Sequence, residues 1–204
     1  MFRSKGTRTP PLGVVAFGLT IMASAAFAAG EQSMLTGGLT SQPIGHYEFC
    51  KANPAECSIR LRDIGPLHLT DSVWREIVDV TKRINAAVRP MNDFDIYGKD
   101  EVWAFPRGTG DCEDYVLEKR RDLMSKGVAL TDLLITVVRK PDGEGHAVLT
   151  VRTDEGDFIL DNLTDTVKPW EATGYRYLKR QATTHTGRWV SIREGSPALV
   201  GSVD

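Results

Sequence analysis

Three residues of this 204-residue chain have the types and placement of a thiol nucleophile with its proton-handling partners. Cys112 lies within Thr109-Gly110-Asp111-Cys112-Glu113-Asp114-Tyr115, His146 stands just ahead of an apolar strand, and Asp161 closes the next one. A thiol attacks a carbonyl as its thiolate, so it needs a base to take its proton and a further group to orient that base. Gly110-Asp111 introduces a helix expected from Cys112 to about Met124, with Gly127 as its stop. At the first turn of such a helix, unpaired backbone N–H groups and the positive end of the macrodipole favour thiolate over thiol. The same N–H groups can hold the oxyanion of a tetrahedral intermediate, so the chemistry is acyl transfer.

The elements downstream must bring the base and its orienter together. After the helix the period changes to that of strands: Leu133 to Arg139, a Pro141-Asp142-Gly143 turn, His146 to Arg152, an Asp154-Glu155-Gly156 turn, then Phe158 to Asp161. A tight turn centred between Asp154 and Glu155 opposes Leu149 to Leu160 and Val151 to Phe158 on one apolar face. His146, Val148 and Asp161 then share the opposite face. Asp161 falls diagonal to His146, about 7 Å away between backbones, within reach of an imidazole N–H. A slip of one residue separates the pair and exposes Leu149 and Leu160, so the apolar pattern and the proposed triad select the same register. His46, His68 and His185 have no comparable placement.

Upstream, Thr70 is placed as an N-cap, and Val73, Ile77, Val80, Ile84 and Val88 recur at three and four residues until Pro90. Trp74 and Ile77 read as packing residues of that stripe. Residues 91–110 read as irregular, and a last strand or hairpin is expected over Tyr175 to Ile192. Helices first and antiparallel strands afterwards indicate an α+β domain.

The ends of the chain read differently. Arg3, Lys5 and Arg8, the mostly apolar stretch Val14 to Phe27, and Ala26-Phe27-Ala28 make residues 1–29 a signal peptide, with a retained membrane anchor as the alternative. Its removal takes the chain from 25 basic against 27 acidic residues, net −2, to 22 against 27, net −5, which excludes a basic nucleic-acid-binding surface. Residues 30–45 are expected to be a flexible lead-in, 46–195 the single domain and 196–204 a flexible tail. Cys50 and Cys57 bracket Lys-Ala-Asn-Pro-Ala-Glu and can close a disulfide in an oxidising compartment; metal binding is the competitor, without a second pair to complete a site. That leaves Cys112 unpaired, and its polar neighbours argue against an inert core thiol.

Those neighbours raise a difficulty. Asp111, Glu113 and Asp114 beside a nucleophile raise its pKa and oppose the helix dipole. Bound Ca²⁺ would offset them, since it takes carboxylate oxygens and reverses the local charge. A solvated or arginine-paired acidic helix start is the alternative.

Trp103, the Gly110-Asp111-Cys112-Glu113-Asp114-Tyr115 box, Gly145-His146-Ala147 and Leu160-Asp161-Asn162 resemble the bacterial transglutaminase-like cysteine proteinases, a periplasmic group in the papain-like and transglutaminase-like superfamily. The likeness runs over roughly Phe49 to Ile192. It implies a papain-like/transglutaminase-like core, with the nucleophile helix packed on an antiparallel sheet. It also implies Cys112 as nucleophile, His146 as base then acid, and Asp161 as the orienting residue. Members of that family clip large surface adhesins near their N-terminus, in an Ala-Ala or Ala-Ala-Gly context, and so release cells from biofilm. They depend on calcium held by acids beside the nucleophile, which here points to Asp111, Glu113 and Asp114, and an inner-membrane cyclic-di-GMP receptor sequesters them.

The expectation is therefore an exported, periplasmic or secreted, thiol endopeptidase acting on a protein substrate. Its oxyanion is held by the Cys112 backbone N–H and the Trp103 indole. Acyl transfer to an amine, as in a transglutaminase or amidase, is the alternative within enzymes, because the triad serves any acceptor that reaches it. A non-catalytic binding module is the alternative of another class. The pocket that reads the substrate is expected from the loops 91–110 and 162–174.

Overall fold

Thr70 caps a helix as its position requires: its hydroxyl accepts the Val73 N–H at 3.2 Å. The computed structural model describes Met1 and residues 33–193. Residues 2–29 of the expected signal segment, the first residues of the lead-in and the tail 196–204 lie outside the described residues. The described chain begins with β1 (Thr36–Thr40), α1 (Ile44–Ala52) and α2 (Pro54–Cys57), then the capped helix α3 (Asp71–Ala87). Next come β2 (Arg89–Pro90), α4 (Asp93–Tyr97), β3 (Thr109–Gly110) and α5 (Cys112–Ser125). Strands β4 (Leu133–Arg139), β5 (Gly145–Thr153), β6 (Gly156–Leu160), β7 (Lys168–Pro169), β8 (Arg176–Ala182) and β9 (His185–Ile192) follow.

Seven strands form one antiparallel sheet in the order β1-β9-β8-β4-β5-β6-β7, and β2 pairs with β3 in parallel. Strands β5 and β6 pair Leu149 with Leu160 and Val151 with Phe158, the register that the apolar pattern demands. On that face Leu149, Val151 and Leu160 join Ile77, Val80 and Ile84 of α3 and Val116, Leu117 and Leu123 of α5 in the main core. Each such fully buried aliphatic side chain contributes roughly 1.5–3 kcal/mol. The other face buries Met34, Val138, Val148, Ile159, Tyr177 and Ile192. The arrangement is the expected α+β one, with the nucleophile-bearing helix packed on an antiparallel sheet.

Two expectations are corrected. Residues 33–45 are not a loose lead-in: Met34 is buried, its N–H reaches Asp157 Oδ2 at 2.8 Å, and β1 pairs with β9. The polar composition misled because edge-strand pairing is made by the backbone, which asks little of side chains. Residues 91–110 are not wholly irregular either, since they hold α4 and end in β3. Among the described residues no helix is long and apolar enough to cross a membrane.

Cys50 and Cys57 are joined by a disulfide with a Cα–Cα distance of 5.5 Å, which ties α1 to α2. Beside it His46 of α1 is buried, its Nδ1 lying 3.2 Å from the Trp189 Nε1–H, with its ring edge-on to Trp103 and Trp189. Burial, and then the charge of Arg120, lower its pKa to about 4. The unfolded chain protonates this histidine near pH 6.5 and the folded chain only near 4, so its contribution is complete above pH 6.5 and is lost as the pH falls through that window. In urea titrations from pH 7.5 to 4.5, wild type should lose about 2–3 kcal/mol more unfolding free energy than His46→Gln. Equal losses would contradict the assignment.

Candidate active site

Cys112 opens α5 as its first residue, half-buried and outside any disulfide. Its thiol donates to Glu113 Oε2 at 2.7 Å. Burial pushes the thiol well above its ordinary range, and the Glu113 and Asp111 carboxylates push the same way, with only the Ala147 backbone pulling it down. Taken with its acids alone, the helix start therefore holds a thiol, and the dipole argument for thiolate is overruled by nearer full charges.

His146 and Asp161 meet as the hairpin register requires. His146 Nε2 lies 2.9 Å from Asp161 Oδ1, and both residues are buried, 6% and 3% exposed. Burial tends to raise the Asp161 pKa, but hydrogen bonds from His146, Tyr175 and the Leu163 N–H outweigh it and hold the group below the usual carboxylate range. The loop that carries Asp161 is fastened from α3: Asn85 Nδ2 lies 3.0 Å from Asp161 O, 3.1 Å from Thr164 O and 2.9 Å from Asp165 Oδ1.

Cys112 and His146 line one cleft of about 250 Å³ with Pro43, Glu101, Trp103, Glu113 and Ala147. The Trp103 ring is 6% exposed, and its Nε1–H is buried with no well-aligned partner. Gly45 of α1 sets its place: a Cβ there would fall 2.4 Å from Trp103 Cδ1 and 2.5 Å from Nε1, so only glycine lets the helix approach so near. Glu101, beside it, has a φ of 58°, in the left-handed region that side chains rarely adopt.

The acids divide into two groups. Ligand oxygens of Asp93, Asp111 and Glu113 lie within 4.8 Å of one another. Asp93 Oδ1 and Asp111 Oδ1 are both buried without a hydrogen-bond partner. Burial, and then Glu113 and Asp93, push the Asp111 pKa up to about 9. Converging, crowded carboxylates, two of them with an unpartnered buried oxygen, suit a hard cation, whose charge would offset what burial and mutual repulsion cost. Asp114, expected among them, turns instead to the Ala104 N–H, which its Oδ1 accepts at 2.7 Å, and burial raises its pKa to about 7.

Asp93 and Tyr175 were not singled out by sequence reasoning. The acidic first turn Asn92-Asp93-Phe94-Asp95 was a signal for a helix start, but the segment read as irregular. Tyr175 carried no signal beyond opening the last hairpin.

Among solved structures, Legionella pneumophila LapG is similar at 26% identity and a TM-score of 0.50, over 58% of this chain and 68% of that one. Its EGTA-treated form gives 26% and 0.50, over 58% and 67%. The calcium-bound form gives 24% and 0.51 over 62% and 74%, a likeness of fold. No curated protein matches the chain. The model of the bacterial transglutaminase-like cysteine proteinases matches residues 36–197, which takes in every element from β1 to β9. The chain belongs to the bacterial transglutaminase-like cysteine proteinase family and is a cysteine peptidase.

Proposed function

We propose that the protein is an exported, calcium-dependent endopeptidase that cleaves a surface or periplasmic protein, such as a biofilm adhesin, with Cys112, His146 and Asp161 as its triad. The observation that carries this reading is the buried 2.9 Å His146–Asp161 pair, whose histidine lines the same cleft as a thiol at a helix N-terminus. In the first step Cys112 Sγ bonds to the peptide carbonyl carbon as its proton passes to His146. The Cys112 N–H and the Trp103 Nε1–H receive the oxyanion. His146 gives its proton to the leaving amine as the C–N bond breaks, and Asp161 steadies the imidazolium between these steps. His146 then takes a proton from water as it attacks the thioester carbonyl, and returns that proton to Cys112 Sγ as the C–S bond breaks and the acid product leaves.

Asp93, Asp111 and Glu113 would hold the cation. Its charge would offset the neighbouring carboxylates that, after burial, raise the Cys112 pKa, and calcium accords with the calcium-bound form of Legionella pneumophila LapG. Asp114 remains a candidate through its buried Oδ2, which has no partner of its own. Export is supported by the Cys50–Cys57 disulfide together with the leader-like first 29 residues.

Iodoacetamide labelling located by mass spectrometry tests the nucleophile. With millimolar Ca²⁺, Cys112 should label below pH 7, at least about tenfold faster than in His146→Ala. Labelling at equal rates would remove the enzyme assignment of these residues. Calorimetry tests the cation: the mature domain should bind Ca²⁺, and Asp93→Asn or Asp111→Asn should weaken it at least about tenfold. No heat at millimolar Ca²⁺ would show that the acids serve another purpose.

A further inference from the structure

We propose that Tyr175 is a positioning residue of the triad, its phenol fixing the second oxygen of Asp161 while its ring walls His146. The inference rests on the reading of Cys112, His146 and Asp161 as catalytic. Asp161 Oδ1 receives His146 Nε2 at 2.9 Å and the Leu163 N–H at 3.0 Å. Oδ2 receives the Tyr175 O–H at 2.6 Å, a short bond of the charge-assisted kind. The Tyr175 and His146 rings meet edge to face, with centroids 5.7 Å apart and planes at 72°.

The need for a second donor follows from the torsion involved. The final torsion of an aspartate is broad, so a carboxylate held at one oxygen can tilt or exchange its oxygens. Held at both, its plane is fixed, and so is the direction in which Oδ1 meets the imidazole. Nε2 is thereby committed to Asp161, and Nδ1 is the nitrogen left for the thiol. Asn85 secures the backbone of the same residue from α3, so Asp161 is fixed through main chain and side chain by separate elements.

Tyr175 is itself placed by a built turn. Gly174 adopts a φ of +73°, the left-handed conformation that admits glycine freely, and so brings the chain into β8. Thr173 Oγ1 accepts the Tyr175 N–H at 3.3 Å and donates to Trp170 O at 2.8 Å. Burial and the Asp161 charge raise the Tyr175 pKa, so the phenol stays a donor and takes no part in proton transfer.

The test uses the mature protein with Ca²⁺ in millimolar excess and reads three quantities at pH 7. These are the iodoacetamide rate at Cys112, the NMR resonance of the His146 Nε2 proton, and the melting midpoint. Tyr175→Phe keeps the ring and removes the hydroxyl. It should melt within about 5 °C of wild type, shift or broaden the histidine resonance, and slow alkylation about tenfold. Added to Asp161→Asn, it should slow alkylation no further, because its target is gone. An unmoved resonance, an unchanged rate, an additive loss with Asp161→Asn, or a midpoint lower by more than about 10 °C would each overturn the proposal, the last by making Tyr175 a structural residue. Wild-type alkylation no faster than that of His146→Ala would overturn the triad reading and this inference with it. Fast wild-type alkylation that Tyr175→Phe leaves unchanged would overturn this inference alone.

Discussion

A carboxylate buried as deeply as Asp161 is tolerated only where its charge is answered by donors, because desolvation otherwise drives it neutral. Here the answer comes from three parts of the chain: an imidazole on β5, a backbone N–H two residues on, and a phenol at the start of β8. Each donor depends on something larger. The imidazole arrives only if β5 and β6 pair in one register, and that register is enforced by Leu149, Val151 and Leu160 in the main core. The phenol arrives only if the loop between β7 and β8 turns back at Gly174. The apolar core thus sets the geometry of the polar pair through the two-residue period of the strands.

The nucleophile end is governed by a different balance. A helix N-terminus offers about half a unit of positive charge, spread over its first turn. Burial of the thiol acts against it, and so does the Glu113 carboxylate next to Cys112, and together they prevail. Reactivity at Cys112 is therefore not a fixed property of the fold. It depends on the burial of the thiol and on the acids around it as much as on the helix start.

The hairpin, the capped helix and the His146–Asp161 contact are legible in the sequence because each rests on local periodicity or on strict residue chemistry. Thr70 with its apolar stripe, the Cys112 box, and the alternation from Leu133 to Asp161 all have that character. What escaped depends on contacts between residues far apart in the chain. Asp93 joins Asp111 and Glu113 because β2, just ahead of α4, pairs with β3, just ahead of α5, and no spacing rule predicts that return. Tyr175 reaches Asp161 across a loop whose path depends on one glycine and one threonine. The strand at Thr36–Thr40 has the composition of a linker and acquires its structure only from β9.

That last pairing bears on when the protein can fold. The first strand of the sheet lies beside the last, with Thr36 opposite Ile192, and β9, β8 and β4 stand between β1 and the strand that carries His146. The sheet is closed by the two ends of the described chain, a contact of very high sequence separation that pays its loop entropy before it gains stability. When synthesis has just passed α5 and its thiol, β1 is the one strand of the seven-stranded sheet that has been made. Completion of the sheet therefore waits for β9, long after the helix that carries the nucleophile has been made.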